Sequence, residues 1–328
     1  MQRNRYLNKL IAKKGNGLIK IISGNRRCGK SYLLFTLYYD YLVSDGVKES
    51  QIITLALDEA QNAKYRNPIE LDAYIRAKVK PTFFNKKKMF YVFLDEIQLV
   101  EEIQNPYISG SVSKIGFVDV VLGLMKLNNV DLYITGSNSK MLSSDIITTF
   151  RDRGDQLRMY PLSYAEFYSC YEGDKRNAWR EYCTYGGMPL AVMKKTAEEK
   201  SQYLKDLFTG TYIKDVIERH KITNEESDLG ELLNVISSSI GSLTNPLTLS
   251  NAFKSVKHKS IAPETISTYL EYFKDSFLIE SAVRYDVKGK RHISTPLKYY
   301  FVDVGLRNAR LNFRQQEERD RKSTRLNS

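Results

Sequence analysis

Apolar runs recur along the first half of the chain at residues 18–23, 52–57, 89–94, 131–135 and 157–160, separated by stretches with helical spacing. The runs are continuous rather than alternating, as strands buried on both faces are, so the pattern predicts βαβ units in an α/β fold: a parallel sheet with helices on both faces. In such a sheet ligands sit beyond the C-terminal ends of the strands. From residue 166 to about 240 the pattern is helical, with Gly186-Gly187 expected to end one of the helices. From 248 to 300 it predicts a helix-turn-helix and wing. Pro263 opens a helix whose apolar residues Ile266, Leu270, Phe273 and Phe277 share one face, opposite Thr265, Thr268 and Glu271. Strands at 279–285 and 297–302, joined through the basic stretch 286–291, form the wing. The expected division is therefore a core over 1–165, a helical lid or connector over 166–240, a winged-helix domain over 241–310, and a tail over 311–328.

The first run carries the clearest chemistry. It ends at Ser23 and passes through Gly24-Asn25-Arg26-Arg27-Cys28-Gly29-Lys30-Ser31 into a helical stretch that continues from Tyr32, a fit to G-x-x-x-x-G-K-[ST] between a strand and a helix. The glycines let backbone N–H groups approach phosphate oxygens, and the following helix N-terminus adds about half a positive charge. The P-loop reading makes residues Gly24 to Tyr32 a binding site for ATP, with Lys30 reaching the β- and γ-phosphates and Ser31 offering its hydroxyl to Mg²⁺. The bland alternative is an ordinary strand-turn-helix with a solvated lysine.

Two further strand ends add to it. The run at 89–94 leads into Asp95 and Glu96. Asp95 is placed to act on the magnesium through its water, and Glu96 to orient or deprotonate the attacking water. An adjacent acidic pair at a strand end is otherwise a solvated turn. The run at 131–135 leads into Gly136-Ser137-Asn138-Ser139, where Asn138, with Ser137 second, is the candidate γ-phosphate sensor; an Asn/Ser turn held by local backbone bonds is the competing account. Arg151 and Arg153 follow. A guanidinium keeps its charge and forks onto phosphoryl oxygens, so either is a candidate arginine finger, with plain surface charge as the alternative.

With these residues in place, the sequence resembles the prokaryotic AAA+ type ATPases that open with a basic helix and carry a G-x-R-R-x-G-K-S P-loop. Those ATPases also show I-T-G-S-N-S-K-M-L after the sensor strand. The corresponding stretches here are 3–10, 24–31 and 134–142. Pro161-Leu162-Ser163-Tyr164-Ala165-Glu166-Phe167 and Tyr185-Gly186-Gly187-Met188-Pro189 match as well, so the resemblance covers roughly residues 1–310. It implies an ATPase core built on a five-stranded parallel sheet, a helical lid, a winged helix and often a nuclease-like domain. The chain departs from that pattern at Asp152, where the family usually shows glycine between the two arginines, and in carrying no nuclease-like region. The last residues, 320–328, are polar and aperiodic. They look like translated adapter read-through, and the expectation is a disordered tail and a natural protein that continues beyond it.

Composition narrows the classes. Hydrophobic residues make up 42% of the 328, with 23 tyrosines, which excludes a disordered chain. No apolar run reaches the roughly 18 residues of a membrane span, and the N-terminus has no signal-peptide core, so a cytoplasmic address without membrane contact is expected. Three cysteines without a C-x-x-C pair and three isolated histidines, His220, His258 and His292, point away from a disulfide framework or a protein-ligated metal cluster. Fifty basic against 38 acidic residues leave +12, of which seven basic minus three acidic, +4, fall in 307–328. Between 248 and 300 nine basic residues face five acidic ones, so the winged helix is expected to meet either DNA or a partner protein. The leading functional reading is an ATP hydrolase cycling between ATP and ADP, as a homo-oligomer in which one subunit's arginine completes its neighbour's site. The alternative is a nucleotide-dependent switch with little turnover.

Overall fold

The computed structural model describes residues 3–79, 88–108, 113–137, 153–214, 216–217, 222, 226–257, 261–283 and 297–313. They form two compact units, one made of residues 2–24 and 29–159, the other of residues 25–28 and the chain from 160 onward. No described helix is long and apolar enough to cross a membrane.

The N-terminal unit is built on a five-stranded sheet of β1 (Ile19–Gly24), β2 (Ile52–Ala56), β3 (Phe90–Asp95), β6 (Val130–Gly136) and β7 (Gly154–Met159), in the order β2-β3-β6-β1-β7. Every pairing is parallel. A separate short hairpin, β4 (Ile103–Gln104) and β5 (Lys114–Ile115), lies outside this sheet. Each residue of β1 and β3 is buried, as two-sided coverage requires. On one face Ile19, Ile21, Val92, Leu94, Leu132 and Ile134 pack with Leu71 and Ile75 of helix α3 (Pro68–Lys78) and Val120, Val121 and Leu124 of α4 (Phe117–Met125). The other face is aromatic. Helix α2 follows the P-loop as Lys30–Tyr32, a π-wound stretch Leu33–Tyr38, and Tyr39–Ser44. It lays Phe35 and Tyr38 against Phe93, and Tyr38 against Tyr133. Helix α1 (Asn4–Ala12), the basic N-terminal helix, buries Tyr6 and Leu10.

The strand positions agree with the apolar runs to within a residue or two, except that β7 begins three residues earlier than its run. Gly154 and Asp155 are not apolar, yet the Asp155 carboxylate accepts from Lys13 (2.5 Å) and from the Asn16 amide (2.5 Å), which holds this polar start in the sheet. A second polar intrusion is fully buried. Lys20 of β1 pairs with Asp131 of β6, both almost wholly out of solvent, and Asp131 also accepts from the Gly15 N–H (2.9 Å) and the Tyr133 hydroxyl (2.7 Å). Burial pulls the Lys20 ammonium below its ordinary range, opposed by the hydrogen bond and charge of Asp131.

The C-terminal unit follows with helices α5 (Tyr164–Tyr168), α6 (Lys175–Tyr185), α7 (Pro189–Met193), α8 (Ala197–Leu207), a π-wound turn Phe208–Ile213, α9 (Glu226–Ser238), α10 (Pro246–Lys257), α11 (Pro263–Asp275) and α12 (Val304–Arg310). Strands β8 (Leu243–Thr244), β9 (Ile279–Ala282) and β10 (Leu297–Phe301) form an antiparallel sheet in the order β8-β10-β9. One core, from Met188 to Phe313, joins α7 to α12 with β9 and β10. In α11 the expected apolar face is buried at Ile266, Leu270 and Phe273, and Phe277 just beyond it is buried too. The basic stretch 286–291, expected at the tip of a wing, lies outside the described residues.

Helix α6 ends at Gly186, at φ +71°, and the reason is a close approach. A Cβ on Gly186 would fall 2.2 Å from the Asp303 carboxylate, and one on Gly187 would fall 2.0 Å from the Leu162 carbonyl oxygen. Asp303 accepts from the N–H groups of Gly187 (2.7 Å) and Leu306 (3.1 Å) and caps α12. The 161–167 and 185–189 motifs therefore meet each other. Burial raises the Asp303 carboxyl to about 6, opposed by those backbone N–H groups.

Two stability measurements follow. Removing one partner of the buried Lys20–Asp131 pair, as Asp131→Asn does, is expected to cost about 3–5 kcal/mol, whereas Lys20→Met with Asp131→Leu costs much less; urea denaturation compares them. Asp303 binds its proton more readily folded than unfolded, so its stabilisation is complete below pH 3.8 and is lost as pH rises through about 6. That span is worth about 3 kcal/mol. The difference in unfolding free energy between wild type and Asp303→Asn, followed from pH 4 to 7, should carry that slope.

Candidate functional site

The C-terminal ends of β1, β3 and β6 converge on one edge of the sheet. β1 stops at Gly24, whose φ of +143° and 2.0 Å approach of a notional Cβ to the Met159 carbonyl oxygen leave room only for glycine. Gly29 sits at φ +96° with nothing within 4 Å of where its Cβ would be, so the loop there is an open cradle of backbone. Arg27, at φ +60°, is a non-glycine residue in the left-handed region. Lys30 opens α2 almost fully buried and donates from Nζ to the Gly24 carbonyl (3.1 Å), so its ammonium lies folded over the loop. Ser31 and Tyr32 are exposed on the first turn.

Asp95, 3% exposed, closes β3. It accepts from the hydroxyl of Thr135 and from that of Ser31. Burial pushes its carboxyl above the ordinary carboxylate range; those two hydroxyls and Lys30 oppose the shift, and the neighbouring Glu96 carboxylate adds to it. Glu96 itself is in the left-handed region at φ +53°, a strained position for a non-glycine residue, and its N–H donates to Thr135 Oγ1 (3.1 Å). Its carboxylate accepts from the Gln98 amide and from Ser137 Oγ (3.2 Å). Gln98 also donates to Ser137 Oγ (3.3 Å).

Lys30, Ser31, Asp95, Glu96 and Ser137 are thus brought to one edge within a single unit. Thr135 and Gln98 belong to the same group and were not singled out from the sequence. The signal for Thr135 was the register: Leu94 pairs with Ile134, which sets Asp95 beside Thr135. The donor set suits a hydrated divalent cation. Hard oxygens of a serine and an aspartate face an open loop, and a cation would relieve the cost that burial and the Glu96 charge put on the Asp95 carboxylate.

The loop apex behaves differently from its flanks. Asn25–Cys28 group with the C-terminal unit, and Asn25 and Cys28 are buried. The Asn25 amide donates to the Phe277 carbonyl (2.6 Å) and to the Tyr212 hydroxyl (3.4 Å), and Tyr212 donates to the Arg26 carbonyl (3.3 Å). Phe277 is itself in the left-handed region at φ +56°. Arg153 is not brought to the loop. It is exposed and precedes Gly154, which pairs with Ile19 at the other end of β1, about 17 Å from Gly24 at 3.3 Å per residue. Asn138 and Arg151 lie outside the described residues, as does Asp152. Among the described residues no cluster of histidine, cysteine and carboxylate side chains suits a protein-ligated metal.

Residues 16–168 match an AAA domain family, and residues 176–317 match a domain of unknown function. An uncharacterized protein of Haemophilus influenzae is 31% identical over 314 residues, spanning 94% of this chain and 72% of that protein. An uncharacterized protein of Methanocaldococcus jannaschii is 28% identical over 327 residues, spanning 95% of this chain and 65% of that one. The chain is therefore shorter than both relatives. Among solved structures, a Walker-type ATPase of Pyrococcus abyssi superposes with a TM-score of 0.58 at 14% identity, covering 94% of this chain and 95% of that one, a likeness of fold. With the P-loop, the parallel sheet order and a relative 31% identical over 94% of this chain, the chain belongs to the family of AAA-type P-loop ATPases that carry this C-terminal domain.

Proposed function

We propose that the protein binds Mg·ATP at the P-loop and hydrolyses it to ADP, and that the nucleotide state is passed to a winged-helix module in the C-terminal unit. The observation that carries this reading is the set of hydroxyls and carboxylates at the sheet edge: Ser31 and Thr135 on Asp95, and Ser137 and Gln98 on Glu96.

In this mechanism the backbone of residues 24–29 and the N-terminus of α2 hold the phosphates, and Lys30 exchanges the Gly24 carbonyl for the β- and γ-phosphate oxygens. Bound magnesium would neutralise charge on the phosphates, held by Ser31 and, through water, by Asp95. Thr135 keeps the Asp95 carboxylate turned toward Ser31. Glu96 takes the proton of the attacking water, and its strained backbone and two side-chain donors fix its direction. Asn138 is the γ-phosphate sensor of this reading, with Ser137, which donates to the Glu96 carboxylate, as the second candidate. An arginine finger from Arg151 or Arg153 works in trans: the position of Arg153 at the far end of β7 favours a neighbouring subunit's site over its own.

For the partner, the order of α10, α11 and the β9–β10 pair supports a winged helix. Glu264, Thr268 and Glu271 are exposed on α11, a surface poorly suited to phosphate backbones, which favours a protein partner over DNA.

Glu96→Gln is expected to leave ATP affinity near normal and to lower turnover by about 10²- to 10⁴-fold, the usual contribution of a general base. Equal turnover in the variant removes Glu96 from the mechanism, and calorimetry with ATP on Lys30→Ala, expected to show weak or no uptake, tests the binding step separately. Thr135→Val removes the hydroxyl that holds Asp95 and accepts from the Glu96 N–H, without removing a proposed metal ligand; a magnesium titration of turnover should show about a 10- to 100-fold loss in metal affinity or rate.

A further inference from the structure

In the C-terminal unit Lys205, Phe208, Thr209, Ala309, Arg310 and Asn312 line a depression of about 250 Å³. Lys205 comes from the last turn of α8 and Arg310 from the last turn of α12. Among the described residues neither takes part in an ion pair or a side-chain hydrogen bond. Asp206, next in sequence to Lys205, accepts instead from Gln202 (2.7 Å). Glu231 acts on Arg310 only as a more distant charge.

Arg310 is held in place. Its guanidinium carbon lies 5.6 Å from the centre of the Phe208 ring, and its Nε is buried without a hydrogen-bond partner. Space for it is made by Gly230 in the interior of α9, where a Cβ would stand 2.8 Å from Arg310 Nη2. Glycine inside a helix costs about 1 kcal/mol relative to alanine, so the seat of this guanidinium carries a cost that a loosely solvated arginine would not require. Cations at helix C-termini ordinarily answer the helix dipole. That accounts for each residue singly but not for two of them converging, without an ion-pair partner among the described residues, on one depression that also holds a hydroxyl and a carboxamide.

We propose that this depression is a binding site for the phosphoryl group of a small phosphorylated ligand. Arg310 supplies the planar fork, Lys205 the second charge, Thr209 and Asn312 neutral hydrogen bonds, and Phe208 an apolar wall for the carbon part of the ligand. None of these residues belongs to the P-loop, and the proposal does not depend on the ATPase reading.

Titration calorimetry with inorganic phosphate at constant ionic strength tests it on the full chain. Saturable binding should persist in Lys30→Ala, which disables the P-loop, and weaken at least tenfold in both Lys205→Gln and Arg310→Gln. Lys205 is only half-buried, so Lys205→Gln should keep the wild-type circular dichroism and serves as the test should Arg310→Gln fail to fold. No saturable binding in Lys30→Ala, or equal affinity in Lys205→Gln and wild type, overturns the proposal. Displacement of phosphate by a sugar phosphate supports the small-ligand assignment; displacement by a single-stranded oligonucleotide but not by the sugar phosphate overturns it.

Discussion

Everything at the candidate site depends on one buried carboxylate. Asp95 lies at the end of a strand with no solvent on either face, where an ionised group is costly unless its oxygens are met. Two hydroxyls meet them, one from the helix that follows β1 and one from the neighbouring strand β6. Neither would be in reach if the strands were not parallel and did not finish at the same edge. The sheet thus acts as a frame that brings two distant parts of the chain to one carboxylate. Glu96, next along, is turned into the left-handed region by the same frame and held by the residues that follow β3 and β6.

Much of this arrangement was legible because it follows from short-range pattern. A glycine loop between an apolar run and a helix, and an acidic pair after another apolar run, need no tertiary information to be noticed. What could not be read was anything set by register or by long-range approach. Thr135 appears in the sequence as the last residue of a strand, and only the pairing of Leu94 with Ile134 turns it into the partner of Asp95. Gln98 looks like any polar residue after a strand. Lys20 and Asp131 interrupt apolar runs and would be assigned to solvent by composition alone, yet they satisfy each other inside the sheet. Asp155 conceals the start of β7 for a similar reason, since the side chains that make its place tenable, Lys13 and Asn16, lie some 140 residues earlier.

The second unit shows the same division. The spacing in α11 disclosed its buried face, whereas the Gly186-Gly187 pair could be read only as a helix end. Its larger role comes from what presses on it, the Asp303 carboxylate on one glycine and the Leu162 carbonyl on the other. A motif that distinguishes the family in sequence thus turns out to be a packing solution: three segments that must come within contact distance of one another, with a fully buried acid as the joint.

The split of the P-loop has a practical consequence for anyone dissecting this protein. The AAA domain match ends at residue 168, an inviting place to cut an expression fragment. Such a fragment would retain Gly24, Lys30, Asp95 and Glu96 but discard Tyr212 and Phe277, the residues that hold Asn25 and Arg26. The excised piece would carry every signature residue and still lack the partners of Asn25 and Arg26, so its behaviour would report on a loop with its apex unheld rather than on the intact chain.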